Sequence, residues 1–240
     1  MSALFVTATG TDIGKSFVAC GVVAELRRRG RKVTALKPLV SGYDETRAAE
    51  SDPGRLLTAL GREVTPAELD RISPWRFRAP LAPDSAAKRE GKQVDFASLV
   101  KFCRDAIAPA IPPSIQGPGD LLIEGVGGVM SPIAERHTML DWMAELGIPV
   151  LLVSGSYLGA QSHALTALAA LCGRRLALRA VVVCQSPEDG LSPAETAQSL
   201  ARFARGTEFL ALPRLSSWNA PHETFSRLAD GFNLSAAARA

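Results

Sequence analysis

The sequence predicts a single α/β domain over residues 1–240, a mostly parallel sheet with helices on both faces. Three observations predict it. Short apolar runs alternate with helical stretches along most of the chain. Five of the six runs are continuously apolar over most of their length, as strands covered on both faces require. The apolar content is 47%, much of it Ala, Leu and Val, with only 6% aromatic residues, a composition suited to helices packed on a parallel sheet.

Strands are expected at 4–7, 33–37, 121–124, 150–154, 180–184 and 209–212. Helices are expected near 15–29, 52–61, 95–108, 138–146, 160–172 and 193–204. Gly30, Gly61, Gly147 and Gly173 each follow such a stretch, where a left-handed cap favours glycine. Residues 62–93 show the least periodicity and are expected to be irregular, as in an active-site lid. Residues 111–119, rich in Pro and Gly, read as a loop, and the tail after about 230, ending in Ala236–Ala238, as a fraying helix.

The formal net charge of +3 comes largely from arginines scattered in helices, with one run at Arg27–Arg29 that suits a solvated helix C-terminus. No basic stripe interleaved with aromatics marks a nucleic-acid surface. Cys20, Cys103, Cys172 and Cys184 lack paired spacing and suit free thiols in a reducing compartment. The apolar runs are shorter than the roughly 20 residues a bilayer demands, and no targeting segment is recognised, so a cytoplasmic location is expected.

The first strand runs into Ala8-Thr9-Gly10-Thr11-Asp12-Ile13-Gly14-Lys15-Ser16, followed by an apolar helix. This strand–loop–helix context is that of a phosphate-binding P-loop, although Thr9 stands where the usual Gly-x4-Gly-Lys-[Ser/Thr] spacing has its first glycine. Free backbone N–H groups and the helix dipole favour an anion there. Lys15 is placed to reach the β- and γ-phosphates, and Ser16 to ligate Mg²⁺. Lys37 and Glu124 each close a buried strand at the sheet edge where parallel strands bind ligands. Such charges are costly unless paired or functional, so a Lys–Glu ion pair is the plain alternative. Glu124 has the position of an acid that holds Mg²⁺. Asp52 opens a helix, where its simplest role is an N-cap. His163 lies in a helical pattern among apolar neighbours and reads as a packed structural histidine.

These segments, in this order, resemble the dethiobiotin synthetases, ATP-dependent enzymes of biotin biosynthesis. The family's Gly-Thr-Asp-Thr-x-x-Gly-Lys-Thr matches Ala8–Ser16, its Lys-Pro-x-x-[Ser/Thr]-Gly matches Lys37–Gly42, and its Ser-Asp matches Ser51-Asp52. Its Glu-Gly-Ala-Gly-Gly matches Glu124–Gly128, and its Leu-Gly-x-x-Asn-His matches Leu158–His163. Departures are Ala8, Gly10 and Ser16 in the loop, Ser162 for an asparagine, Asp84 for a histidine, and Cys184-Gln185 where an asparagine reads adenine.

The resemblance implies that ATP, CO2 and 7,8-diaminononanoate are joined through a carbamate, with Mg²⁺ on Ser16, Asp52 and Glu124. It implies catalytic roles for Lys37, Lys15 and Thr11. Nucleotide contacts would come from Asp12, Ile13, Gly14, Lys15, Ser16, Phe17, Asp52, Glu124, Gly127, Cys184, Gln185, Pro213 and Arg214. Thr11, Lys37, Ser41 and Gly127 would hold the diamine or carbamate. Leu158, Gly159 and Ala160 would hold the substrate carboxylate from the partner subunit of a homodimer with shared sites. The rival reading is a partition- or septum-site-type P-loop switch ATPase that binds protein partners. Those proteins usually carry a second lysine early in the loop, and positions 8–13 contain none.

Overall fold

A computed structural model describes residues 2–107, 119–187 and 190–234. Strand β1 (Ser2–Ala8) leads through the P-loop into α1 (Lys15–Arg28), and β2 (Val33–Leu36) follows. After β3 (Leu39–Ser41) and a 3₁₀ turn come α2 (Asp52–Ala59), α3 (Pro66–Ile72), β4 (Trp75–Phe77), α4 (Pro83–Arg89) and α5 (Phe96–Ile107). The chain continues through β5 (Asp120–Glu124), a hairpin of β6 (Pro132–Ala134) and β7 (His137–Thr138), and α6 (Met139–Leu146). Alternation then resumes with β8 (Val150–Ser154), α7 (Ala160–Gly173), β9 (Leu178–Cys184), α8 (Pro193–Ala201), β10 (Phe209–Leu212) and α9 (Glu223–Leu234).

The main sheet has the order β10-β9-β8-β1-β5-β2, and every pairing in it is parallel. β5 and β8 are buried along their whole lengths, as continuous apolar runs require when helices cover both faces. All six strands thus end on one edge, which carries Ala8, Leu36, Glu124, Ser154, Cys184 and Leu212. Register sets the site: Leu36 lies opposite Ile123 and Val6 opposite Glu124, so Lys37 leaves β2 beside Glu124. Phe5 meets Trp142 edge-on at 5.1 Å, joining sheet to α6 in the core.

Several expectations are corrected. Residues 62–93 are not irregular: they hold α3, β4 and α4, with Leu69, Ile72, Phe77, Ala86 and Ala87 buried. β4 pairs in parallel with β3, and three-residue strands leave too short a pattern to detect. Gly30, Gly61 and Gly147 adopt positive φ, but Gly173 does not; Arg175 takes the left-handed turn after α7. The run Arg27–Arg29 is engaged rather than merely solvated. Arg27 Nη1 donates to the Ala59 carbonyl at 2.9 Å, and Arg29 pairs with the buried Glu25. The four cysteines are free, and among the described residues no helix is long and apolar enough to cross a membrane. The 111–118 loop and Ala236–Ala238 fall outside the described residues.

Candidate active site

Two cavities open along the C-terminal edge of the sheet and share the P-loop. One, about 840 Å³, lies between Thr9–Gly14, Tyr157 and the β9 and β10 ends, Cys184–Pro187 and Leu212–Leu215. The other, about 740 Å³, lies between Lys15 and Ser16, Lys37–Tyr43 and Asp52, with Pro80–Pro83 as an apolar wall. Thr11, Asp12, Gly14 and Phe17 line both. The first shape suits a nucleoside and the second its terminal phosphates with a neighbouring small molecule.

The loop is built for close approach. Gly14 has φ 99° and caps α1 without a side-chain bond, which leaves the helix's first N–H groups open to an anion. A methyl group on Gly14 would lie 3.1 Å from Cys184 Sγ, so the loop rests directly on the end of β9. Asp12 holds φ 58°, a conformation that side chains other than glycine, asparagine and aspartate rarely adopt.

Beneath the loop lies a buried charge cluster. Lys37 Nζ donates to Glu124 Oε1 at 2.6 Å and to the Gly125 carbonyl at 2.8 Å, and pairs with Asp52 Oδ2 at 2.9 Å. Ser16 Oγ donates to the same Glu124 oxygen at 2.6 Å, and Lys15 Nζ stands 3.9 Å from it. The ion pair anticipated for Lys37 and Glu124 is thus present, but at the wall of a cavity rather than sealed in the core. Two ammonium groups face two carboxylates. Burial lowers the Lys37 pKa, yet Asp52 and Glu124 outweigh it and hold Lys37 above the ordinary lysine range. Lys15 goes the other way: burial and then Lys37 repulsion bring it down to about 8. Lys37 holds Asp52 below the usual carboxylate range.

Asp52 is not the N-cap. Ser51 caps α2 by accepting the Gly54 N–H at 3.2 Å, which frees Asp52 on the first turn to face Lys37. The buried Glu124 Oε2 has no hydrogen-bond partner among the described residues. An orphaned carboxylate oxygen beside Ser16 and Asp52 fits a hard cation. Among the described residues no cluster of three or more His, Cys, Asp or Glu exists to hold a metal unaided. A cation here would share its shell with the nucleotide's phosphates, as Mg²⁺ does.

Most expected residues converge. Ile13, Cys184, Gln185, Pro213 and Arg214 line the nucleoside cavity, while Lys15, Ser16, Lys37, Ser41, Asp52 and Gly127 line the other. Cys184 is a buried thiol pushed up to about 12 by burial, so it offers the cavity an apolar rather than ionic surface. Leu158, Gly159 and Ala160 line neither cavity; Leu158 is 97% exposed at the start of α7. The reading of His163 as a packed residue is corrected. It lies on the flank of the face that buries Ala160, Ala164 and Leu168, is exposed, and bonds Tyr157 Oη through Nδ1 at 2.8 Å at the nucleoside cavity. Tyr157, Tyr43 and Ser131 were missed, because each carries no local pattern and reaches the cavities only through tertiary placement.

The fold and loop define a P-loop nucleotide-binding protein, and a family model described as an AAA domain matches residues 2–222. The Pyrococcus furiosus cell division ATPase MinD shares the fold at a TM-score of 0.55 and 14% identity, over 97% of this chain and 95% of that one. MinD of Aquifex aeolicus gives 0.54 and 12%, over 99% and 98%. At such identities the likeness concerns the fold alone. An ATP-dependent dethiobiotin synthetase of Caulobacter sp. (strain K31) is 48% identical over 92% of this chain and 91% of its own. Those of Phenylobacterium zucineum and Methylobacterium nodulans are 49% and 46% identical over 89% of this chain, covering 89% and 94% of theirs. The chain belongs to the dethiobiotin synthetase family of ATP-dependent ligases.

Proposed function

We propose that the protein carboxylates 7,8-diaminononanoate and closes the cyclic urea of dethiobiotin, converting ATP to ADP and phosphate. The observation that carries this reading is the second cavity. A switch ATPase needs only a phosphate cradle, whereas here a further chamber adjoins it, with an ammonium at its base and an apolar wall. Val40, Tyr43, Pro80, Leu81 and Pro83 suit an aliphatic chain, and Thr11, Ser41 and Lys37 suit its polar head.

One amine adds to CO2 and loses a proton, forming a carbamate. A carbamate oxygen bonds to the γ-phosphorus as the bond to the β–γ bridging oxygen breaks, and ADP leaves. The second amine attacks the carbonyl carbon of the mixed anhydride, releases inorganic phosphate, and loses a proton as the ring closes. Lys15 and the P-loop N–H groups neutralise charge spreading over the phosphoryl oxygens. Lys37, held charged by Asp52 and Glu124, orients the carbamate as a fixed cation and moves no proton. Asp52, Glu124 and Ser16 would hold Mg²⁺, which when bound offsets phosphate charge. Asp12, Gly14 and Phe17, which line both cavities, would border the phosphates, and Ile13, Gln185, Pro213 and Arg214 would border the nucleoside.

Leu158, Gly159 and Ala160 are assigned to the substrate carboxylate of a partner subunit in a homodimer. Gly159 caps α7 without a side-chain bond; the Ala160 N–H donates to the Tyr157 carbonyl at 3.0 Å, which leaves the next N–H groups of the first turn for an anion, and the exposed Leu158 is unused within its own chain's cavities. The reading is tested by incubating the protein with ATP, Mg²⁺, bicarbonate and the diamine. A product of dethiobiotin mass is expected, with ADP release requiring both diamine and bicarbonate. ADP release that ignores the diamine would instead support a switch ATPase.

A further inference from the structure

Ser131 follows the glycine turn after β5 and lies outside the charge cluster. Its Oγ accepts the Gly128 N–H at 2.8 Å, its own N–H donates to the Gly128 carbonyl at 3.0 Å, and its carbonyl accepts the Met139 N–H at 2.9 Å. The residue is therefore held from three sides. A hydroxyl that already accepts a backbone N–H still has its proton to give. No described residue takes that proton, nor that of the Thr11 hydroxyl.

Both hydroxyls lie close to Gly127. A methyl group on Gly127 would lie 2.3 Å from Ser131 Oγ and 3.9 Å from Thr11 Oγ1. The Ser131 hydroxyl thus fills the space a side chain at 127 would need, and both donors sit on the wall of the cavity that Lys37 also lines. Thr11 borders both cavities, whereas Ser131 borders only the one beside Lys37, away from the base. Fixed O–H donors that converge beside an ammonium suit an anionic oxygen.

We propose that Ser131, together with Thr11, donates a hydrogen bond to the carbamate formed on the substrate amine, and so is a substrate-contacting residue of the reaction. The assignment rests on the carboxylation reading above. Its consequence is specific: the Ser131 hydroxyl binds the amine only after CO2 has been added to it.

The test compares diamine affinity in CO2-free buffer and in bicarbonate-saturated buffer, with Mg²⁺ and a non-hydrolysable ATP analogue present, for wild type, Ser131→Ala and Ser131→Thr. A charge-assisted hydrogen bond sets the expected loss for Ser131→Ala at about tenfold or more in bicarbonate. Less than about twofold is expected without CO2, and Ser131→Thr restores wild-type behaviour. Affinity for the analogue should be unchanged, because a loosened glycine turn would disturb Glu124 and weaken that too. An equal loss in both buffers, or none in either, overturns the assignment. If Ser131→Ala does not fold, Ser131→Cys keeps an atom for the Gly128 N–H but donates weakly, and gives the same comparison. Wild-type affinity that ignores bicarbonate overturns the carboxylation reading and this inference together. A bicarbonate-dependent wild type with an indifferent Ser131 variant overturns this inference alone.

Discussion

Lys37 and Lys15 are both buried ammonium groups in one cluster, yet they behave differently because of what they touch. Lys37 bridges two carboxylates and a carbonyl, so it is a permanent charge. Lys37→Ala should cut turnover by about 10²–10³-fold with little change in nucleotide affinity, the scale of losing one preorganised charge at a reacting oxygen. Steady-state kinetics beside analogue titration checks this, and near-normal turnover would remove Lys37 from the chemistry. The same variant leaves Glu124 buried without its closest cation, so the free protein should lose about 3–5 kcal/mol, read by denaturant unfolding. Lys15, at about 8, titrates in an accessible range. Its folded pKa lies below the ordinary 10.5, so the unfolded chain binds more protons between those values. The penalty of burying its charge is complete below about pH 8 and is relieved as pH rises towards 10.5. Phosphate favours the charged form, so nucleotide binding by the free protein above pH 8 should take up a proton. Calorimetry in buffers of different ionisation enthalpy measures that uptake, and its absence would contradict the shift.

At the scale of elements, α1 carries the P-loop at its start and meets α9 in its middle. A methyl group on Gly21 would lie 2.3 Å from the Phe225 ring, so the two helices approach as closely as they do only because residue 21 is glycine. Alanine favours a helix over glycine by about 1 kcal/mol. Overpacking should nonetheless win here, and Gly21→Ala is expected to destabilise the protein by about 1–3 kcal/mol. Stabilisation in a denaturant titration would show that α9 yields without cost. The strand elements were legible because strands covered on both faces announce themselves in their own composition, and β8, buried throughout, matches its expected bounds. β3 and β4 were not, because three residues carry no period and each strand exists only by pairing with the other. α9 was missed because its polar positions obscure the buried Phe225, Leu228, Ala229 and Phe232.

For the whole molecule, the parallel order gathers the proposed chemistry on one edge of the sheet. If the proposed homodimer holds, the protein should sediment at twice the mass of its chain. Leu158→Asp should then split the dimer, and diamine turnover should fall while nucleotide binding persists. A fully active monomer would refute shared sites. Ligand linkage offers a second measurement. At one hundred times its dissociation constant, a Mg²⁺–ATP analogue adds about 2.7 kcal/mol of stability. For a chain of this length that raises Tm by about 5–10 °C.

By itself the sequence determined the α/β class, the phosphate loop and the charged residues that close buried strands, because those features are written in contiguous residues. Lys15, Ser16, Lys37 and Glu124 were readable in that way. Tertiary structure alone decided who meets whom. Lys37 and Glu124 are 87 positions apart, and they bond because β2 and β5 are neighbours in register. It assigned the α2 cap to Ser51 and so freed Asp52, turned His163 out to the nucleoside cavity, and set Ser131 beside Thr11 across Gly127. The Lys37–Glu124 bond and the meeting of Ser131 with Thr11 join segments distant in sequence, so their energy depends on a strand order that no local pattern encodes.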